Sequence, residues 1–304
     1  MSKLIRIGTR DSQLALWQAR FVKNIIEHAG YQTEVVPLTS DGDQNLEQPL
    51  YEMGITGIFT KTLDVALINN KIDVAVHSMK DVPTQLPNNI SQGAVLHRAA
   101  TTDILVHKGI DFLEREGTIA TGSLRRKAQW LNKYPKHKVV DLRGNVNTRL
   151  QKLEDNDWNG AIFASAGLER IDKKPDNHIV LDWMVPAPAQ GAIMVAHRSD
   201  DLESQEALSK INHRITEVCT HVERQFLSVL EGGCTAPIGA LATNNGDKLN
   251  FVGELISLDG KRKVSIEKQF PFALAKDAGR ICAMKILEDG GAELMEEIKA
   301  AIKS

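Results

Sequence analysis

"KLIRIGTRDSQLALWQARFVKNIIEHAGYQTEVVPL", residues 3–38, changes its hydrophobic period twice. "KLIRIG" is an apolar run of strand length. Leu14, Trp17, Phe21 and Ile25 then recur at helical spacing, and "YQTEVVPL" returns to a strand. Asp11 or Ser12 suits the helix N-cap and Gly30 its stop. A polar loop from Thr39 to Gln48 and a glycine-bearing loop lead into a helix through "TKTLDVALINN", and "IDVAVHS" is a third strand. Strand, helix, strand, helix, strand predicts a largely parallel sheet with helices on its faces.

The same units return downstream. "TIATGSLRRKAQWLNKYP", "KHKVVDLRGNVNTRLQKLE", "GAIFASAGLERI" and "HIVLDWMVP" read as strands with their helices, so a second α/β lobe is expected. "PAPAQGAIMVAHR" reads as a proline-led strand crossing back to the first lobe. A helical run from Ser199 carries Ile215, Val218, Val222 and Phe226 on one stripe. "IGALATNNGDKLNFVGELISLDGKRKVSIEKQF" then alternates around Asn-Gly and Asp-Gly turns, as antiparallel hairpins do. The expected class is α/β: residues 1–95 form one lobe, completed by about 190–212, residues 96–189 the second, and residues 213–304 a small α+β domain.

A chain of 304 residues with 42% apolar content builds more than one core. No apolar run reaches the roughly eighteen residues of a membrane span, and "MSKLIRIGTRDSQ" lacks the pattern of a signal peptide, so a cytoplasmic protein with no membrane partner is expected. Cys219, Cys234 and Cys282 are odd in number and far apart, which fits free thiols. Cys219 and Cys282 continue apolar stripes and read as core fillers. Cys234, in "LEGGCTAPIGA", has no stripe around it, and its glycines fit either a tight turn or close approach to a ligand.

Net charge is −2, yet residues 120–150 carry Arg125, Arg126, Lys127, Lys133, Lys136, Lys138, Arg143 and Arg149 against Asp141 alone. Open α/β sheets bind ligands beyond the C-terminal ends of their strands, and the polar residues fall there. Arg10 and Ser12 follow the first strand, and His77, Ser78, Lys80 and Asp81 the third. Thr121, Ser123, Arg125 and Arg126 follow "TIA", Arg143 and Asn145 follow "KVVDL", and Ser165 and Arg170 follow "GAIFA". Such guanidiniums repel one another unless carboxylates or phosphates lie among them, so an anionic ligand is expected. Asp81 is either a capping group or, if it faces that cleft, the acid-base or cation-stabilising group. "GITGIFTKT" lacks the glycine before lysine that a P-loop requires, and "HSMKD" has no second ligand for a metal, so no metal is expected. Nucleic-acid binding would need more interleaved aromatics than Trp130 and Tyr134. A non-catalytic two-lobed binder of an anionic small molecule remains the alternative.

Together "IRIGTRDSQLALWQA", "GIFTKTLDVAL", "DVAVHSMKDVPT", "TGSLRRKAQ", "DLRGNVNTRL", "AGLER", "PAPAQGAI" and "ERQFLSVLEGGCTAPIGA" resemble the porphobilinogen deaminase family, from Arg6 to Ala240 and in the family's order. The resemblance implies two lobes similar to periplasmic binding proteins, a third domain that anchors a cofactor, and a monomer. It implies that Cys234 carries a dipyrromethane cofactor by a thioether. Four porphobilinogen molecules would then add stepwise with loss of ammonia, and water would release the linear tetrapyrrole. Asp81 matches the catalytic aspartate, which stabilises the cationic azafulvene formed on deamination. Lys80, Ser78, Thr121, Ser123, Arg125, Arg126, Arg143 and Asn145 are expected around the cofactor. Arg10, Ser12, Arg98, Arg149, Arg170 and Gln190 are expected on substrate acid groups. This chain departs from the family's commoner forms in "HRAATTD", which lacks a proline and has Thr102 at a possible basic contact. It departs again in "PAPAQGA", which stands for a commoner "PAVGQGA", and at Ala196, where glutamate is frequent.

Overall fold

Ser12 starts the first helix, its hydroxyl accepting from Ala15 N at 3.4 Å, and Gly30 follows the C-cap with φ +94°. The computed structural model describes residues 4–39, 60–230 and 236–303. Most of the polar loop read from Thr39 to Gln48, and Cys234 itself, lie outside the described residues.

In the first lobe β1 (Ile5–Arg10), β2 (Thr33–Leu38), β3 (Val74–Ser78), β4 (Ile90–Val95) and β10 (Ile193–Arg198) form one sheet, ordered β2-β1-β3-β10-β4. β10 runs against its neighbours β3 and β4, and β1 is parallel to β2 and β3. The proline-led segment thus returns to the first lobe as its sequence suggested. Helices α1 (Gln13–His28) and α2 (Lys61–Ile68) cover this sheet. The buried face of α1 is Gln18, Ala19, Val22 and Ile26, one position round from the stripe through Trp17 and Phe21. The smaller side chains pack on the sheet, while Trp17 and Phe21 stack on each other at 5.3 Å and leave Phe21 40% exposed.

The second lobe repeats the plan. β5 (Asp103–His107), β6 (Thr118–Ala120), β7 (Lys138–Val140), β8 (Gly160–Ala164) and β9 (His178–Leu181) are ordered β7-β6-β8-β5-β9, with β5 reversed against β8 and β9. Helices α3 (Leu124–Lys133), α4 (Val146–Asp155) and α5 (Ser165–Glu169) follow β6, β7 and β8. Two segments, residues 96–102 and 182–192, join the lobes. In each sheet four strands run in one direction and one, β10 or β5, runs against them.

The helical run from Ser199 is two helices, α6 (Leu202–Ser209) and α7 (Arg214–Val229), because His213 breaks the run and caps α7 by accepting from Thr216 N. Ile215, expected on the buried stripe, is 44% exposed, since in the first turn of α7 it is Thr216 that is buried and the apolar core is entered only at Cys219. β11 (Ile238–Asn245), β12 (Lys248–Ile256) and β13 (Lys263–Pro271) form an antiparallel sheet under α7, α8 (Ala278–Ile286) and α9 (Ala292–Lys303). Phe226, Phe251, Leu255, Cys219 and Cys282 sit in that core, and burying each large side chain contributes roughly 1.5–3 kcal/mol. Both thiols are core fillers, and burial pushes each up to about 11. The turn after β12 seats the third domain on the second lobe. Gly260 has φ +76°, and a Cβ there would meet Asn132 N at 2.6 Å and Ala128 O at 2.7 Å.

Candidate active site

The polar strand ends of both lobes converge on Arg149, a half-buried residue of α4. Burial and repulsion from Arg126, Arg143 and Arg10 together bring its pKa down to about 10, against the pull of Asp81. Its Nε is buried and makes no hydrogen bond among the described residues. Arg10 and Asp81 come from the first lobe, Arg126, Arg143 and Arg149 from the second, so charges of both lobes act on the Arg149 guanidinium.

Local structure explains the placement. Ser123 caps α3 by accepting from Arg126 N at 3.4 Å, and Thr121 Oγ1 accepts from Ser123 N at 3.3 Å. Asn145 caps α4 by accepting from Thr148 N at 3.0 Å. These three residues shape the turns that aim two helix N-termini and their arginines, an arrangement suited to anions. Asp81 ends a 3-10 turn, Met79–Asp81, straight after β3. Burial and repulsion from Arg126 lower the Lys80 ammonium to about 8, against the attraction of Asp81 and Asp103. His77 is buried, and desolvation with the nearby Arg10 takes it to about 4, so it is neutral at neutral pH.

Several expected residues have other occupations. Ser78 pairs with Gln18 of α1 at 2.9 Å. Arg170 stands over the Trp17 ring, 5.7 Å from its centroid, and donates from Nη2 to Gly191 O at 2.7 Å, with burial lowering its pKa to about 10. Arg98, expected among the substrate contacts, instead donates from Nη1 and Nη2 to Glu223 of α7 at 2.6 and 2.9 Å and from Nε to Gln190 O at 2.8 Å. A guanidinium whose N–H groups are engaged in this way ties the lobe junction to the third domain. Arg125 and Arg126 also have a partner within the chain, for the fully buried Asp103 takes Arg125 Nη2 and Arg126 Nη2 at 2.7 Å each. Sequence reasoning asked for an external anion among these arginines, and the protein supplies one carboxylate of its own.

Three residues were missed. Asp103 stands in "HRAATTD" with nothing to separate it from a surface acid. Glu223 and Arg224, in "ERQFL", lie on the amphipathic α7, and a carboxylate inside an apolar helix face was the available signal. Glu223 is fully buried and also accepts from Ala189 N at 2.6 Å and Ala242 N at 2.7 Å.

The donor set fits a polycarboxylate group. Arg125, Arg143 and Arg149 all lose some of their basicity to burial, and Arg125 Nε joins Arg149 Nε in having no hydrogen bond among the described residues. Desolvated cations of this kind gain most from bound carboxylates.

Residues 5–206 match the family profile "Porphobilinogen deaminase, dipyromethane cofactor binding domain", and residues 217–288 match "Porphobilinogen deaminase, C-terminal domain". A porphobilinogen deaminase of Syntrophomonas wolfei is 39% identical over 302 residues, covering 97% of this chain and 99% of that protein. One of Pelotomaculum thermopropionicum is 40% identical over 309 residues, covering 98% of each. A periplasmic substrate-binding protein from Coxiella burnetii superposes loosely, with a TM-score of 0.44 and 14% identity over 68% of this chain and 91% of that one. The two matched domains and the near full-length identity place this chain in the porphobilinogen deaminase family, a family of transferases with a dipyrromethane cofactor.

Proposed function

We propose that this chain condenses four porphobilinogen molecules stepwise onto dipyrromethane held by Cys234, releasing one ammonia at each addition, and that water then frees hydroxymethylbilane. The observation that carries the reading is that Arg149 feels the Asp81 carboxylate of the first lobe together with Arg10, Arg126 and Arg143 from both lobes. Each porphobilinogen brings an acetate and a propionate. Charge-assisted hydrogen bonds to these arginines, roughly 1.5–3 kcal/mol apiece, hold the ring in register.

Dipyrromethane, when bound, supplies an electron-rich pyrrole carbon to the incoming ring. Asp81 accepts the pyrrole N–H and stabilises the cation left on the substrate as ammonia departs. The Lys80 ammonium, next to it, is a further positive group for acid side chains. Thr121, Ser123 and Asn145 serve by holding the helix N-termini, and Ser12 by starting α1 beside Arg10. Arg170 takes an acid group at the edge of the cleft near Trp17. Arg98 is left out of the contact set because Glu223 holds it.

We place the enzyme in the cytoplasm as a monomer with porphobilinogen as its small-molecule partner and no nucleic acid. No helix among the described residues is long and apolar enough to cross a membrane. Incubation of the purified chain with porphobilinogen tests the reading: four ammonia per linear tetrapyrrole are expected. Tight binding without ammonia release would favour a non-catalytic binder.

A further inference from the structure

Asp103 opens β5 at the point where the chain enters the second lobe, and its carboxylate is fully buried. Oδ1 accepts from Arg126 Nη2 at 2.7 Å, Arg126 Nε at 3.1 Å and Gln190 Nε2 at 2.9 Å, and Oδ2 accepts from Arg125 Nη2 at 2.7 Å. The guanidiniums are fixed at their far ends too. Arg125 Nη1 donates to Val185 O at 2.7 Å and Arg126 Nη1 to Ile162 O at 3.1 Å. Gln190, itself fully buried, lies on the segment returning to the first lobe, and its Oε1 accepts from Lys80 Nζ at 3.4 Å. One carboxylate therefore connects the second lobe's arginine pair, the lobe junction and the lysine beside Asp81.

We propose that Asp103 is a positioning residue of the cleft: it fixes Arg125 and Arg126 as a pair and, through Gln190, holds the Lys80 ammonium beside Asp81. The proposal rests on the functional reading above but concerns the apoprotein's own geometry. Burial alone would raise the acid's pKa, yet the two guanidiniums outweigh it and keep Asp103 ionised far below the ordinary carboxylate range. Its charge offsets one of three cations crowded at this point, leaving the others for ligand acids. Lys80 feels Arg126 and Arg125 as repulsion and Asp81 and Asp103 as attraction, so removal of the Asp103 charge disfavours its ammonium form.

The test is competitive labelling of Lys80 with acetic anhydride across pH, read by peptide mass, in wild type, Asp103→Asn and Asp103→Glu, alongside kcat. In Asp103→Asn the Lys80 midpoint is expected to fall by about one pH unit, a tenfold change in its protonation constant, and kcat to drop at least about tenfold. Asp103→Glu keeps the charge and is expected to hold the midpoint near wild type. A purely structural role would reduce folded yield and leave the midpoint unmoved, and that result in folded Asp103→Asn overturns the proposal. Should Asp103→Asn not fold, Gln190→Met leaves both arginine pairs in place and is still expected to lower the midpoint, while an unmoved midpoint there overturns the proposal equally. Labelling proceeds whether or not porphobilinogen is turned over, so failure of the functional reading shows separately, as an inactive wild type.

Discussion

Arg224 Nη1 donates to the carbonyl oxygen of Val82 at 2.8 Å, one residue beyond Asp81. Its Nη2 reaches Pro83 O, and Met79 O lies at 3.4 Å from Nη1. A side chain of α7 thus latches the turn that carries Lys80 and Asp81, while its neighbour Glu223 grips both segments joining the lobes through Arg98 and Ala189. The same helix runs into the segment that holds Cys234. Arg224→Met keeps the length of the side chain and removes the latch. We expect a loss of about 2 kcal/mol in urea unfolding and a fall in kcat of about tenfold. Unchanged kcat in a folded variant would show that the latch does not position Asp81.

Asp81→Asn keeps the shape of the turn and removes its charge. The arginines of the cleft are untouched, so binding of substrate acids is expected to persist while turnover falls by at least about a hundredfold. Ammonia release under saturating porphobilinogen measures it, and substantial retained kcat would refute the assigned role.

Ala189 has φ +62°, a left-handed backbone that disfavours a Cβ. The position is held because its N–H is bonded to the buried Glu223. Glycine relieves strain of about 1–2 kcal/mol and gives back about 0.4–1 through the freer unfolded chain. The Ala189 methyl is also fully buried in the core, and its loss costs about 0.8 kcal/mol. The terms nearly cancel, so Ala189→Gly is expected to leave the denaturation midpoint close to wild type; a loss of about 1.5 kcal/mol, as at an unstrained buried alanine, would contradict the strain.

His77 ties stability to acid. Its folded pKa is about 4 against an ordinary 6.5, so the unfolded chain takes up a proton first as pH falls. Its contribution is complete above pH 6.5 and is lost progressively down to about pH 4, amounting to about 3 kcal/mol over that window. His77→Gln should flatten the stability profile between these limits in denaturant titrations. A slope equal to wild type would place the acid sensitivity elsewhere.

The lobes were legible because their elements announce themselves locally. Apolar periods of two and of 3.6, Ser12 before α1 and the Asn-Gly hairpin turn each act within a few residues. The cationic strand ends were legible for the same reason, since a fold class says where strands end. What the sequence concealed were pairings across long separations. Asp103 meets Arg125 and Arg126 only after β5 and α3 pack together, and Glu223 meets Arg98 only when the third domain docks. The acid in "HRAATTD" has no local mark of burial, and in "ERQFL" the one mark is that Glu223 shares the apolar helix face of Cys219, Val222 and Phe226. Trp17 and Phe21 misled for a related reason: their apolar bulk suits a core, but the space beside the sheet admits Ala19 and Val22.

Intact-protein mass spectrometry of the purified chain, followed by peptide mapping, bears most directly on the sulfur-anchored cofactor. A mass excess of one dipyrromethane on the peptide containing Cys234, absent from Cys234→Ala, is the outcome expected. An unmodified Cys234 in a preparation that still converts porphobilinogen to the tetrapyrrole would contradict it.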